Sequence, residues 1–310
     1  MKHTLALLVL TLAAAAPTFA GPLQRQDLPA DTKWLVHLDA TAFLKTKVGD
    51  YLAKELIEPK LAQGRADIKA WFDFDFDWRR IGGITIFGTD YTAPKDERGV
   101  ALVYTDLDIA KGLDGAIAKL EAAGSADSGS VKRLEEAPHA LYQLNDVFAA
   151  VQKGQPVVLG KSREKVVRAR DVLSGKSSNL KAGKAFTQLP AAAGGSFLIG
   201  AAEDFNQVAV PQQANVLKQA DAIGFTLAEK DTNLVATLAL LPKDEQVAQQ
   251  IQQVVQGLIA LGALSQGNNA DLQRLVQATH VQKTDRFVTL DLSLPVDLIQ
   301  QKIAEGARKK

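Results

Sequence analysis

The sequence predicts an α+β protein of two similar tandem halves, each a mainly antiparallel sheet packed with amphipathic helices. Three observations predict it: short runs of period-two hydrophobicity bounded by turn residues, apolar stripes of helical period between them, and a return of the same element order after residue 195. Composition fits a packed chain, with 46% hydrophobic and 23% charged residues among 310.

Residues 1–20 have the layout of a cleavable signal peptide. Lys2 and His3 precede an apolar run from Leu5 to Ala16, then Pro17-Thr18-Phe19-Ala20 before Gly21. The run is about a dozen residues, whereas a bilayer-spanning helix needs roughly 20, so cleavage after Ala20 is expected to leave a mature form with no transmembrane anchor. The chain holds no cysteine, so neither a lipid-bearing cysteine nor a disulfide is available. The expected location is periplasmic or secreted. Residues 21–31 form a polar N-terminal lead, 32–182 a first half, 183–195 a Gly- and Ala-rich junction, 196–307 a second half and 308–310 a basic tail.

In the first half, Trp34, Val36 and Leu38 alternate with Lys33, His37 and Asp39, the signature of a half-buried strand. Leu44, Val48, Leu52 and Leu56 then mark one helical face, capped by Asp39 or Thr41 and interrupted at Pro59. Ile84 to Phe87 and Gly99 to Tyr104 read as a hairpin around a charged loop. Asp108 caps a helix with the stripe Ile109, Leu113, Ile117 and Leu120, followed by a loop from Gly124 to Gly129. Strands are expected at Ala140 to Leu144, Val147 to Gln152 and Pro156 to Leu159, then a helix from Ser162 to about Ser174.

The second half repeats strand, helix, hairpin, helix. Phe197 to Ala201 leads through a Gln-rich, helix-prone stretch to a strand pair at Ala222 to Ala228 and Asn233 to Leu241. A long helix runs from about Lys243 to Leu264 and a short one from Ala270 to Ala278. Strands at Thr279 to Lys283 and Phe287 to Leu292 precede a closing helix from Pro295 to Gly306. Val157, Leu159, Ser162, Val167, Val172 and Gly175 match Val288, Leu290, Ser293, Leu298, Ile303 and Gly306 at one constant spacing, which points to duplication. Any strand-turn-helix, however, places a Ser cap and a terminal Gly at similar distances.

The segments LPADTKWLVHLD, ITIFGT and VVLGKSREKVVRARDVLSG resemble a group of uncharacterised exported bacterial proteins with tandem α+β halves. The resemblance implies a fold. It implies no activity, cofactor or functional residue.

Several patterns bear on function. Removing residues 1–20 takes away Lys2 and leaves acidic and basic side chains equal in number, a poor balance for neutralising phosphates, so nucleic acid is not an expected partner. Gly154 to Ser162, GQPVVLGKS, is near the phosphate loop G-x-x-x-x-G-K-[ST], but five residues separate its glycines and Val157 to Leu159 belong to a strand, with Ser162 as a helix cap. Asp73, Asp75 and Asp77 begin like a calcium loop, yet Trp78 and Ile84 stand where it needs Gly and Glu. They are weak metal candidates beside a plainer reading: a turn whose aromatic residues pack inward while Asp77 caps a short turn through Arg80. An aromatic sugar platform over Trp71 to Trp78 is a further alternative.

His37, His139 and His280 lie one per region. His37 and Asp39 share a strand face and could act as an acid-base pair or ligate a metal, but an exposed, solvated face is the expected setting. No G-x-S-x-G elbow is present, and Ser196 lacks that context. Lys161, Arg163, Lys165, Arg168 and Arg170 form the strongest local charge bias and a candidate interaction surface, although on a helix they spread around more than one face. In the long helix, Val247, Ile251, Val254, Leu258 and Leu261 form a core-facing stripe whose Gln-rich flank could meet a partner. No catalytic residue or cofactor is assigned. The expected function is non-enzymatic binding of an envelope component, protein or polymer; the alternative is a periplasmic hydrolase with a dispersed site.

Overall fold

The computed structural model describes residues 21–72, 74–93, 97–123, 131–136, 140–180, 184–189, 195–205, 218–265 and 270–308. The signal-peptide segment, His139, Asp73, the loop 124–130 and most of the Gln-rich stretch therefore lie outside the described residues. The strands are β1 Trp34–Asp39, β2 Ile81–Gly88, β3 Val100–Thr105, β4 Val131–Glu135, β5 Ala140–Leu144, β6 Val147–Val151, β7 Val157–Gly160, β8 Ser196–Glu203, β9 Ala220–Lys230, β10 Asn233–Pro242, β11 Thr279–Thr284 and β12 Phe287–Pro295. The helices are α1 Ala40–Leu44, α2 Lys47–Leu52, α3 Glu58–Phe72, α4 Ile109–Ala122, α5 Arg163–Leu173, α6 Glu245–Ser265, α7 Ala270–Gln277 and α8 Val296–Arg308.

The expected α+β class holds, and the two halves share one sheet. Its order is β11-β12-β10-β9-β8-β1-β2-β3-β7-β6-β5-β4, and every neighbouring pair is antiparallel. The halves meet where β1 pairs β8, Trp34 opposite Ala202 and Leu38 opposite Leu198. Outward from that seam, β1-β2-β3-β7-β6 and β8-β9-β10-β12-β11 follow the same plan. The residue-level match at the end of each half does not survive. Ser162 caps α5, whereas Ser293 sits inside β12; Gly175 has φ +73° after α5, whereas Gly306 lies within α8.

Local chemistry explains most element ends. Asp39 caps α1 by accepting from Ala42 N at 2.8 Å, and Asp108 caps α4 by accepting from Lys111 N at 3.1 Å. Three hairpins turn on two residues, with Asn145, Asp231 and Asp285 at φ 52–56°, a left-handed conformation that Asn and Asp tolerate better than most side chains. The helix expected to stop at Pro59 continues instead. Residues Ala53–Ile57 form a π turn in which Glu58 N donates to Ala53 O, and this widened turn admits the proline ring that would otherwise strike the carbonyl four residues back. The sequence reading also missed β4, whose VKRLE has no clear alternation.

The sheet buries both faces unequally. Leu35, Phe87, Leu102 and Val158 point to one face, where they pack with Leu28 of the lead, Val166 and Ala169 of α5, and Phe186. On the opposite face α4 covers Tyr142, Val103 and Val157, α1, α2 and α8 cover Leu38 and Phe197, and α6 covers Leu240 and Val288 through Ala248 and Ile251. Each fully buried Leu, Ile or Phe contributes about 1.5–3 kcal/mol relative to exposure. The α6 stripe is only half used: Ile251 is buried, while Leu258 and Leu261 are 51% and 62% exposed.

Candidate functional site

The face that holds α5 is covered more sparsely over β8, β9, β10 and β12, and there the chain encloses a cavity of about 430 Å³. Its floor is a cross-strand row running Leu35, Ala201, Gly224, Ala239 and Thr289, each opposite the next on β1, β8, β9, β10 and β12. A parallel row supplies Ile199, Thr226 and Thr237. The middle of the first row is Ala, Gly and Ala, so the floor itself sends up no long side chain. The walls come from Pro22, Leu23 and Arg25 of the lead and from Phe186 and Leu189. Phe186 belongs to a 3-10 turn, Ala185–Gln188. A Cβ on Gly224 would stand 2.8 Å from Leu189 Cδ1, so the glycine is what lets this roof come down onto the sheet.

The sequence reading took the lead and the junction for connecting segments. Leu23, Phe186 and Leu189 were the available signal: apolar residues in stretches otherwise read as polar or punctuating, each now packed against the main core.

The second row continues into buried polar chemistry. His37 is 1% exposed, not solvated as expected, with its Nδ1 2.8 Å from Thr85 Oγ1. Burial lowers the His37 pKa from its ordinary value; Asp39 and the Gly21 carbonyl oppose that shift. Thr85 is fully buried, so the His37–Thr85 pair has no route to a substrate. The Tyr104 ring stands edge-on to His37, and its hydroxyl donates to Asp27 Oδ2 at 3.0 Å. Burial raises the Asp27 pKa, against the lowering effect of that bond, and pushes Tyr104 far above the usual phenol range. These contacts fasten the lead to the sheet beside the cavity. At the far end of the row, Thr237 donates to Asp291 Oδ1 at 2.6 Å, opposite the exposed His280.

The other sequence candidates do not come together. Asp77 caps the 3-10 turn Trp78–Arg80, accepting from Arg79 N at 3.1 Å, and Asp75 is exposed. Among the described residues no group of three acidic or histidine side chains could hold a metal. Phe74 packs where a side chain on Gly112 of α4 would stand, in keeping with an inward-packed aromatic turn.

Every cation of the candidate interaction surface faces a carboxylate of its own chain. Lys161 reaches Asp146 at 2.9 Å, Lys165 reaches Asp90 at 3.1 Å and Arg168 reaches Asp31 at 2.8 Å. Arg163 and Arg170 converge on Glu135 at 3.3 and 2.6 Å, and with Arg170 foremost they hold its carboxyl below the usual range. An anionic partner would have to compete with these contacts, most of them part-exposed pairs that are each worth little.

No family model and no curated protein matches the chain. Among solved structures, crystal form III of TP0453 aligns at 8% identity over 92% of this chain and 99% of that chain, with a TM-score of 0.46. Form I aligns at 12% identity over 92% and 98%, with a TM-score of 0.45. Form IV gives 11% identity over 91% and 97%, with a TM-score of 0.46.

Proposed function

We propose that the protein is an exported, non-enzymatic component of the bacterial envelope that holds a small, mainly apolar molecule in the cavity over β8, β9 and β10. The observation that carries this reading is the cavity of about 430 Å³ with a floor of Ala and Gly where a filled core would place branched side chains. Its size and apolar lining suit a small-molecule site with a few polar groups. No helix among the described residues is long and apolar enough to cross a membrane, in keeping with the absence of a helical anchor after signal cleavage. The export assignment rests on residues 1–20.

The test is fluorescence titration of the purified protein with Nile red, an uncharged apolar dye. Saturable binding is expected, together with its loss in Ala239→Leu and in Ala201→Leu, which fill the floor from two different strands. Each variant is first checked for an unchanged circular dichroism spectrum. Absence of saturable binding, or equal binding by folded variants of both kinds, would sink the proposal.

A further inference from the structure

We propose that the occupant of this cavity is an anionic amphiphile, an acyl-type chain bearing a carboxylate or phosphate, with its charged end at Arg25 and its chain among the apolar residues that line the cavity, Leu23, Phe186, Ile199, Ala201 and Ala239. The inference rests on the cavity reading above and specifies its ligand. Arg25 is an exposed residue that lines the cavity, with no carboxylate in ion-pair reach among the described residues. Arg286 lies in the β11–β12 turn, where it donates to Gln188 of the roof at 3.3 Å, again with no carboxylate in ion-pair reach among the described residues.

Lys184, just before the roof turn, differs from both: it is tied to the buried Glu203 at 3.0 Å. An apolar cavity with an uncommitted guanidinium on its wall and a second tied to its roof suits a ligand that is greasy along its length and negative at one end. A planar guanidinium recognises carboxylate and phosphate through paired hydrogen bonds. Thr237, also on the lining, is hydrogen-bonded to Asp291, a carboxylate that disfavours an anionic head beside it.

The experiment is calorimetric titration of the purified protein with dodecanoate, dodecyl phosphate and dodecanol, each below its aggregation concentration, repeated on Arg25→Gln, Arg25→Lys and Ala239→Leu. Dodecanoate, dodecyl phosphate or both are expected to bind about tenfold or more tightly than dodecanol. Arg25→Gln should remove that preference while leaving dodecanol affinity unchanged, and Arg25→Lys should keep part of it. Which head binds better separates a fatty acid from a phospholipid-like source, and either result supports the proposal. Dodecanol binding as tightly as both anions, with Arg25→Gln altering nothing, would overturn the anionic assignment and leave the cavity reading standing. Failure of all three to bind would remove the cavity reading itself. Anions that bind equally well to folded Ala239→Leu sit elsewhere, and that outcome also overturns the proposal.

Discussion

At the scale of single residues, two positions have measurable consequences. A Cβ on Gly224 would approach Leu189 Cδ1 to 2.8 Å, the far end of a flexible side chain. Gly224→Ala should therefore turn Leu189 aside at a cost of about 1 kcal/mol, read as a lowered midpoint in urea unfolding. His37 sets a pH dependence of definite sign. Its folded pKa lies below the ordinary value of 6.5 because of burial, so the unfolded chain takes up this proton at higher pH than the native one. Stability is then constant on this account above pH 6.5 and falls as pH drops from there toward the folded value. Melting temperature measured from pH 8 to 5 should decline over that window, and His37→Gln should flatten the decline. Asp27, whose pKa is raised, acts in the opposite sense at lower pH. Neither behaviour was legible in the sequence. The alternation in Lys33 to Asp39 correctly gives a strand with His37 and Asp39 on one face, but it does not say that the lead folds back over that face.

At the scale of elements, the sequence was most informative where local chemistry decides the outcome. Asp108 and Ser162 both cap helices, and the hairpins turn at Asn145, Asp231 and Asp285 because these residues tolerate the left-handed conformation. It was least informative where packing overrides a local rule. Pro59 interrupts a helix in isolation, yet the π turn before it absorbs the ring and the helical path continues to Phe72. Pro59 is exposed, so Pro59→Ala removes little packing. It should let the ladder tighten and raise stability by about 1 kcal/mol or more, a fraction of the roughly 3 kcal/mol that proline costs inside a helix. Denaturant titration with amide exchange across residues 53–60 measures both effects; an unchanged midpoint would show that the π turn has another cause. The cavity walls escaped sequence reading for a related reason. A four-residue 3-10 turn and a short lead have no periodicity to detect, and their meaning comes only from the sheet beneath them.

At the scale of the whole molecule, the seam between β1 and β8 makes the halves one structural unit. Five residue pairs cross it, and the core around Leu35 draws on Leu28, Val166, Phe186 and Leu241 from across the chain. Unfolding should therefore be a single transition. All three tryptophans, Trp34, Trp71 and Trp78, belong to the first half, whereas circular dichroism sees both, so coincident curves from fluorescence and dichroism test the point; separated midpoints would mean that the halves melt independently. The wide sheet also has only two rims, β11 and β4. Unpaired peptide groups along a rim invite another chain to add itself and, repeated, build a fibre. Lys132 and Arg133 stand on β4, and Lys283 on β11 is locked to Glu245 of α6 at 2.8 Å. A newcomer would have to bury or strip away those cations before gaining a ladder, which opposes growth from either rim.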